Sequence, residues 1–164
     1  FAWGETSPKS DYEWETYKYS RGSSKTLTKY CNDSDYGYNG YTDNKTTLDL
    51  NDDAARVNWG GSWRMPTRAE QDELREKCTW TWTTLNGIKG YKVTSKSNGN
   101  SIFLPAAGDR IGTDVYYAGS RGFCWSSSLY SSDPSTAYYL DFDSRAVIWG
   151  YYRSCGLSVR AVCP

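Results

Sequence analysis

Alternating apolar and polar residues predict strands in the second half of the chain. Residues 79–84 (TWTWTT) alternate, and 91–95 (YKVTS) and 101–106 (SIFLPA) flank Asn98-Gly99, a dipeptide typical of hairpin turns. Turn residues separate four further strand-like runs: 123–128, 136–142, 146–150 and 157–162. The pattern therefore predicts a run of antiparallel strands.

Helices are predicted in two short segments that precede these strands. Residues 67–78 begin with a T-x-x-E capping box made by Thr67 and Glu70, and residues 52–58 carry acidic residues at their N-terminal, positive end. Residues 1–50 are polar, Tyr-rich and irregular. This order predicts an α+β fold with two short helices and a twisted antiparallel sheet with extensive loops.

The length and net charge of the chain restrict the number of domains and the classes of partner that we expect. The 164 residues suit one domain, 1–164, and the net charge of zero gives no electrostatic basis for binding nucleic acid or an anionic membrane. No apolar run approaches 18 residues and no signal peptide is visible. Because the chain starts in mid-pattern with FAWGE, we expect it to be the C-terminal part of a longer protein.

The residue types favour binding over catalysis. Histidine, the commonest general base and metal ligand, is absent, and none of the five cysteines forms a C-x-x-C pair. We therefore expect no enzyme, cofactor or metal site. Cys31, Cys78 and Cys163 are expected to be structural, as buried thiols or one bridge. Aromatic residues make up 16% of the chain, which suits either a recognition surface or an aromatic core.

The composition changes near residue 97. Residues 1–96 contain nine Lys, six Glu, one Gln and one Met, whereas 97–164 contain none of these and are rich in Tyr, Ser, Asp, Gly and Arg. That palette is typical of antibody binding loops. Randomised adenines in Asn codons give a similar palette, since they cannot produce Lys, Glu, Gln, Met or Trp. Trp125 and Trp149 are then expected to be scaffold, as are Val147 and Arg153. A buried sheet, which excludes Lys and Glu, is the simpler alternative.

Several motifs resemble a known family. FAWGET, WRMPTRAE, GYKVTSKSNGNSIFLPAAG, WSSSLY and GLSVRAV, in this order, resemble the Fibrobacter succinogenes major paralogous domain family, which is abundant in gut Bacteroidales. The resemblance implies a C-type-lectin-like fold. Some similar proteins are the variable proteins of diversity-generating retroelements, in which an error-prone reverse transcriptase rewrites adenines in a C-terminal cassette. The resemblance thus implies a non-enzymatic display module with a variable stretch at 109–155.

The resemblance also implies a partner and a location. The partner would be a protein or cell-surface ligand, or a glycan, with no nucleic acid and no membrane insertion. The location would be outside or on the surface of a gut bacterium, or on a phage virion. A surface or fimbria-associated adhesin without diversification and a metal-independent glycan-binding module remain open. Formylglycine-type catalysis by Cys155 and Cys163 is disfavoured because RSCGLSVRAVCP lacks that active-site pattern.

The candidate ligand-binding residues fall into two clusters and a weaker set. The first cluster is Asp109, Ile111, Tyr116, Tyr117, Arg121, Phe123 and Cys124. The second is Asp141, Asp143, Arg145, Ala146, Ile148, Gly150, Tyr151, Tyr152, Ser154 and Cys155. The weaker set is Tyr130, Asp133, Ser135, Thr136 and Tyr139, and Tyr138 and Leu140 are expected in the core instead.

Overall fold

Two helices and eight strands follow an irregular N-terminal region in the computed structural model, which describes residues 1–163. Helix α1 is Ala54–Trp59 and α2 is Arg68–Lys77. The strands are β1 Cys78–Leu85, β2 Ile88–Ser95, β3 Ser101–Pro105, β4 Asp109–Ile111, β5 Asp114–Tyr116, β6 Gly122–Leu129, β7 Thr136–Phe142 and β8 Ala146–Tyr152. The predicted α+β class is confirmed.

Side chains fix the starts of both helices. The Asp53 carboxylate accepts hydrogen bonds from the backbone of Ala55 and Arg56 at the start of α1. In α2, the predicted capping box is present, with Thr67 and Glu70 bonding each other's backbone N–H groups. Within residues 1–163, neither helix has the length and apolar character needed to cross a lipid bilayer.

The strands form three antiparallel groups. The first sheet has the order β1-β2-β3, β4 and β5 form a hairpin, and the second sheet has the order β6-β7-β8. The predicted hairpin at Asn98-Gly99 connects β2 and β3. A second Asn-Gly pair, Asn86-Gly87, closes the β1–β2 hairpin with positive φ at both residues, 50° and 81°. The strand predicted at 157–162 is wrong, since this segment makes only isolated bridges at Ser158 and Val162.

The second sheet is the middle layer of the molecule. One of its faces contributes Phe123, Trp125 and Tyr139 to a core that it shares with the N-terminal region. Its other face contributes Leu140 and Phe142 to a second core with the first sheet and α2. Because layers cover both faces, this sheet buries alternate residues on each side.

Long-range hydrogen bonds join the N-terminal region to this sheet. The Trp3 backbone N–H donates to the Arg153 carbonyl at 2.9 Å, and its indole N–H donates to the Ser126 carbonyl at 2.8 Å. Trp125 donates its indole N–H to the Phe1 carbonyl at 2.9 Å. Trp125 is fully buried, so its expected scaffold role is confirmed.

Candidate functional site

The candidate residues divide by burial. Exposed side chains are Ile111, Tyr116, Tyr117, Asp143, Arg145 and Tyr152. Half-buried residues are Arg121, Tyr130, Asp133, Thr136, Ala146, Ile148, Gly150 and Tyr151. Buried side chains are Asp109, Phe123, Cys124, Ser135, Tyr139, Asp141, Ser154 and Cys155. The expectation of surface display is therefore wrong for this last group.

Two features of the fold explain why most of these side chains are buried. Half of these residues lie on β6 and β7, the two strands of the middle sheet that are enclosed on both sides. Tyr139 and Leu140 point to opposite faces, yet both are buried because each face meets a core. Ser154 and Cys155 follow β8 in a turn that leads into the interior, where the Cys155 N–H donates to the Tyr152 carbonyl.

Exposed and half-exposed side chains nevertheless form one aromatic patch, which we define as Tyr116, Tyr117, Arg121, Val147 and Trp149. The Arg121 guanidinium lies over the Tyr117 ring at 5.6 Å, and the Tyr116 and Tyr117 rings are 6.4 Å apart. The strand register places Val147 beside Asp141 and Trp149 beside Tyr139. Tyr and Trp rings with a neighbouring Arg are the side chains that dominate binding energy at protein interfaces.

The turn that carries Tyr117 is fixed by its own hydrogen bonds. Tyr117 has a left-handed backbone, with φ 59°, which a bulky residue rarely adopts. Its carbonyl accepts from the backbone N–H of Ser120 and of Arg121, each at 3.0 Å, and from the Ser120 hydroxyl at 2.9 Å. A strained residue that is held this firmly while 55% exposed is a candidate for function.

A layer of aromatic rings supports the patch from below. Phe123 stacks on Tyr139 at 5.9 Å, Tyr139 lies 5.2 Å from Tyr151, and Phe123 lies 6.1 Å from Tyr117. Phe123 and Tyr139 are nearly inaccessible to solvent, at 3% and 5% exposure. The exposed rings of the patch therefore rest on a rigid base, which lowers the entropy lost when a ligand binds.

Two buried carboxylates hold this base in place. The Asp141 carboxylate accepts from the Arg121 guanidinium Nε at 2.8 Å, and this pair raises the pKa of Arg121 above its ordinary value. The Tyr151 hydroxyl donates to the Asp109 carboxylate at 2.8 Å. Burial raises the pKa of Asp109, and the hydrogen bond from Tyr151 only partly opposes that rise. Asp109 and Asp141 thus act from within the protein and do not face a ligand.

The remaining candidates lie at two other places. The β7–β8 turn exposes Asp143 and Arg145; hydrogen bonds from the backbone of this turn lower the pKa of Asp143 despite some desolvation. At the far end of β8, the exposed Tyr152 packs edge-on against Trp14 at 6.1 Å. Asp133 accepts from the Ser135 N–H and hydroxyl, which stabilises the turn before β7.

Gly150 is constrained by its neighbours. A Cβ atom at this position would lie 3.0 Å from the Thr136 hydroxyl and 3.1 Å from the Tyr130 ring. Tyr130 is itself held against Tyr138, with ring centroids 4.9 Å apart. Free variation at Gly150 would therefore require the Tyr130 ring to move.

Trp149 and Arg153 are both expected to be scaffold, but their side chains differ in burial. Trp149 is 56% exposed and lies outside the buried core, and its role as a fixed residue stays a prediction. Arg153 is fully buried and donates hydrogen bonds inside the protein, so its scaffold role is confirmed. The exposure of Trp149 agrees with the position of β8 at the edge of its sheet.

Three of the five thiols, those of Cys31, Cys124 and Cys155, are buried. Burial raises the pKa of Cys124 and of Cys155 to about 12, so neither is a thiolate at neutral pH. All five cysteines are free, and Cys163 is exposed, which contradicts its expected structural role. Within residues 1–163, no group of three His, Cys, Asp or Glu side chains is arranged to hold a metal ion.

The fold and the patch together define an α+β domain that presents aromatic side chains on one face of an enclosed sheet. Comparison with known families adds one assignment. The model of the domain of unknown function DUF8237 matches residues 80–162, about half of the chain, and the chain belongs to this family. The matched segment runs from β1 to the residues beyond β8 and contains the whole aromatic patch. No curated protein and no solved structure matches the chain.

Proposed function

We propose that this domain is a non-enzymatic binding module that recognises a protein or cell-surface ligand through the aromatic patch. The observation that carries the proposal is that the exposed Tyr117 and the half-buried Arg121 pack against the buried Phe123 ring, which stacks on Tyr139, the register partner of the exposed Trp149. Exposed aromatic and Arg side chains supply contact energy, and a rigid base keeps them in place before the ligand arrives.

We further propose that the fold is C-type-lectin-like and that 109–155 is diversified. Residues near both ends of the chain lie side by side, since the Leu157 N–H donates to the Phe1 carbonyl at 3.0 Å, as the proposed fold requires. The exposed candidate residues would then be the variable ones. Trp149, a residue that adenine changes in Asn codons cannot create, would be a constant anchor of the patch.

Two further properties support binding over thiol chemistry. The raised pKa of Cys155 leaves this thiol neutral, and the absence of histidine from the sequence removes the commonest general base. The proposed location is outside or on the surface of a gut bacterium or on a phage virion. A non-diversified adhesin or a metal-independent glycan-binding module would use the same patch.

A binding screen tests the patch. The labelled domain is applied to an array of purified extracellular proteins and glycans, alongside the Tyr117→Ala/Trp149→Ala variant. We expect any specific signal to fall at least about tenfold in this variant, because aromatic anchors dominate interface energy. The matched control is Trp82→Ala/Ile88→Ala, which removes two exposed apolar side chains from the β1–β2 hairpin.

The two variants separate the outcomes. Equal binding by the wild type and the patch variant, or an equal loss in the control variant, contradicts the proposal. A signal confined to glycan spots selects the glycan-binding alternative. Diversification is tested in the gene, where a near-copy of codons 109–155 beside a reverse transcriptase should differ only at adenines. A source genome without such a copy contradicts diversification but leaves the binding proposal standing.

A further inference from the structure

A second candidate site lies on the opposite side of the middle sheet from the aromatic patch. A cavity of about 320 Å³ opens between α2, the first sheet, the middle sheet and segment 160–163. Its walls are mostly apolar and include Leu74, Leu104 and Leu140. This volume is at the lower end of the range for small-molecule pockets, so it suits a body about the size of one aromatic ring.

Two polar side chains in the wall, Glu70 and Gln71, make hydrogen bonds within the protein, although Gln71 Oε1 is buried without a partner among the described residues. Glu70 accepts from both terminal nitrogens of Arg64, at 2.7 and 2.6 Å, and from the Thr67 N–H at 2.8 Å. The Arg64 hydrogen bonds lower the pKa of Glu70 to about 2. Gln71 donates to the Cys124 carbonyl at 3.0 Å. The cavity wall thus offers mainly apolar contacts to a bound molecule.

Arg160 is a positively charged residue in the lining of this cavity. The side chain is exposed, lines the cavity and makes no ion pair or hydrogen bond within residues 1–163. Its charge acts on the cavity wall, since it partly opposes the burial that raises the pKa of the Cys124 thiol. The nearby carboxylate of Glu70 does not neutralise Arg160, because it is committed to Arg64.

We infer that this cavity binds a small monocarboxylate, with its apolar body against the leucine side chains and its carboxylate paired with Arg160. An apolar cavity edged by a cation that has no partner within the described residues is complementary to a molecule that has an apolar body and one anionic head. The inference is independent of the aromatic patch and of any diversification, since Arg160 and the leucines lie apart from that patch.

Titration calorimetry with 3-phenylpropionate tests the inference, and two related probes separate its parts. The neutral 3-phenylpropionamide has the same body without the charge, and acetate has the charge without the body. We expect saturable binding of 3-phenylpropionate and affinity at least about tenfold weaker for each of the other two. Equal affinity for the amide, or no saturation at about 1 mM acid, overturns the inference.

Variants and a chemical probe locate the site. Arg160→Gln should weaken 3-phenylpropionate at least about tenfold, whereas Arg145→Gln, at an exposed arginine outside the cavity, should leave it unchanged. Saturating 3-phenylpropionate should also slow alkylation of Cys163, which is exposed and lines the cavity. Equal weakening by both substitutions overturns the inference. Unchanged alkylation of Cys163 in the wild type also overturns it, and this measurement needs no variant.

Discussion

Arg153 offers the sharpest test of the architecture because its charge is buried completely. Its guanidinium donates to the Tyr17 hydroxyl at 3.0 Å and to the carbonyls of Tyr30, Pro134 and Lys29 at 2.9, 2.8 and 2.9 Å. One side chain therefore ties the segment after β8 to two loops of the N-terminal region and to the turn before β7. Arg153→Lys keeps the positive charge but replaces the planar guanidinium, whose N–H donors point in several fixed directions, with a compact ammonium that has three N–H donors.

The expected loss follows from the acceptors left without a donor. A lysine ammonium can reach some of the four acceptors but cannot match the spacing of all of them. One or two carbonyls then stay buried and unpaired, at about 1–3 kcal/mol each. We expect Arg153→Lys to lower the free energy of unfolding by about 2–4 kcal/mol. That is a large share of the roughly 5–15 kcal/mol of a typical domain.

Urea unfolding followed by tryptophan fluorescence measures this loss. Arg145→Lys is the matched control, because Arg145 is exposed and the same substitution there should change stability by less than about 0.5 kcal/mol. Arg153→Lys within about 1 kcal/mol of the wild type would show that the four hydrogen bonds do not hold these segments together. An equal loss in the control would assign the effect to the substitution itself.

Three further predictions concern stability. Tyr151→Phe should cost about 1–2 kcal/mol in urea unfolding, because Asp109 loses the hydroxyl that bonds it, whereas Tyr152→Phe should stay within about 0.5 kcal/mol. Since burial raises the pKa of Asp109, its contribution to stability is fully present below the unfolded pKa of about 4 and is lost as the pH rises through the folded value. Asp109→Asn should therefore gain stability relative to the wild type between pH 3 and pH 7, and a difference that is flat over this range would contradict the burial effect. Thr67→Ala, which removes the capping box of α2, should lower the thermal midpoint and cost about 1 kcal/mol; an unchanged midpoint would mean that the cap is redundant.

Local signals in the sequence predicted the local structure well. The capping box at Thr67 and the Asn98-Gly99 turn both act over three or four residues, so their effect can be read without knowing the fold. Asn86-Gly87 carries the same turn signal at the β1–β2 hairpin, whereas the β4–β5 hairpin, with only three residues in each strand, has no clear sequence pattern.

The candidate site was predicted only in part because burial depends on distant segments. Phe123 and Tyr139 resemble surface aromatics in the sequence, but a second layer from the N-terminal region covers them. The scaffold role expected for Arg153 is confirmed, but the sequence does not show that its partner Tyr17 lies 136 residues away. Trp149 was assigned to the scaffold for its residue type, while its position on an edge strand determined its exposure.

The hydrogen bonds between the N-terminal region and the middle sheet also determine the order in which this protein can fold during synthesis. The indole and backbone N–H groups of Trp3 donate to the carbonyls of Ser126 and Arg153, more than 120 residues later. The first third of the chain therefore leaves the ribosome long before the strands that this segment covers are synthesised. Contacts of this separation make folding slow and leave aromatic segments unprotected meanwhile. A substitution that weakens the β8 end of the sheet should thus lower the yield of folded protein in the cell and increase its degradation, whatever its effect on ligand binding.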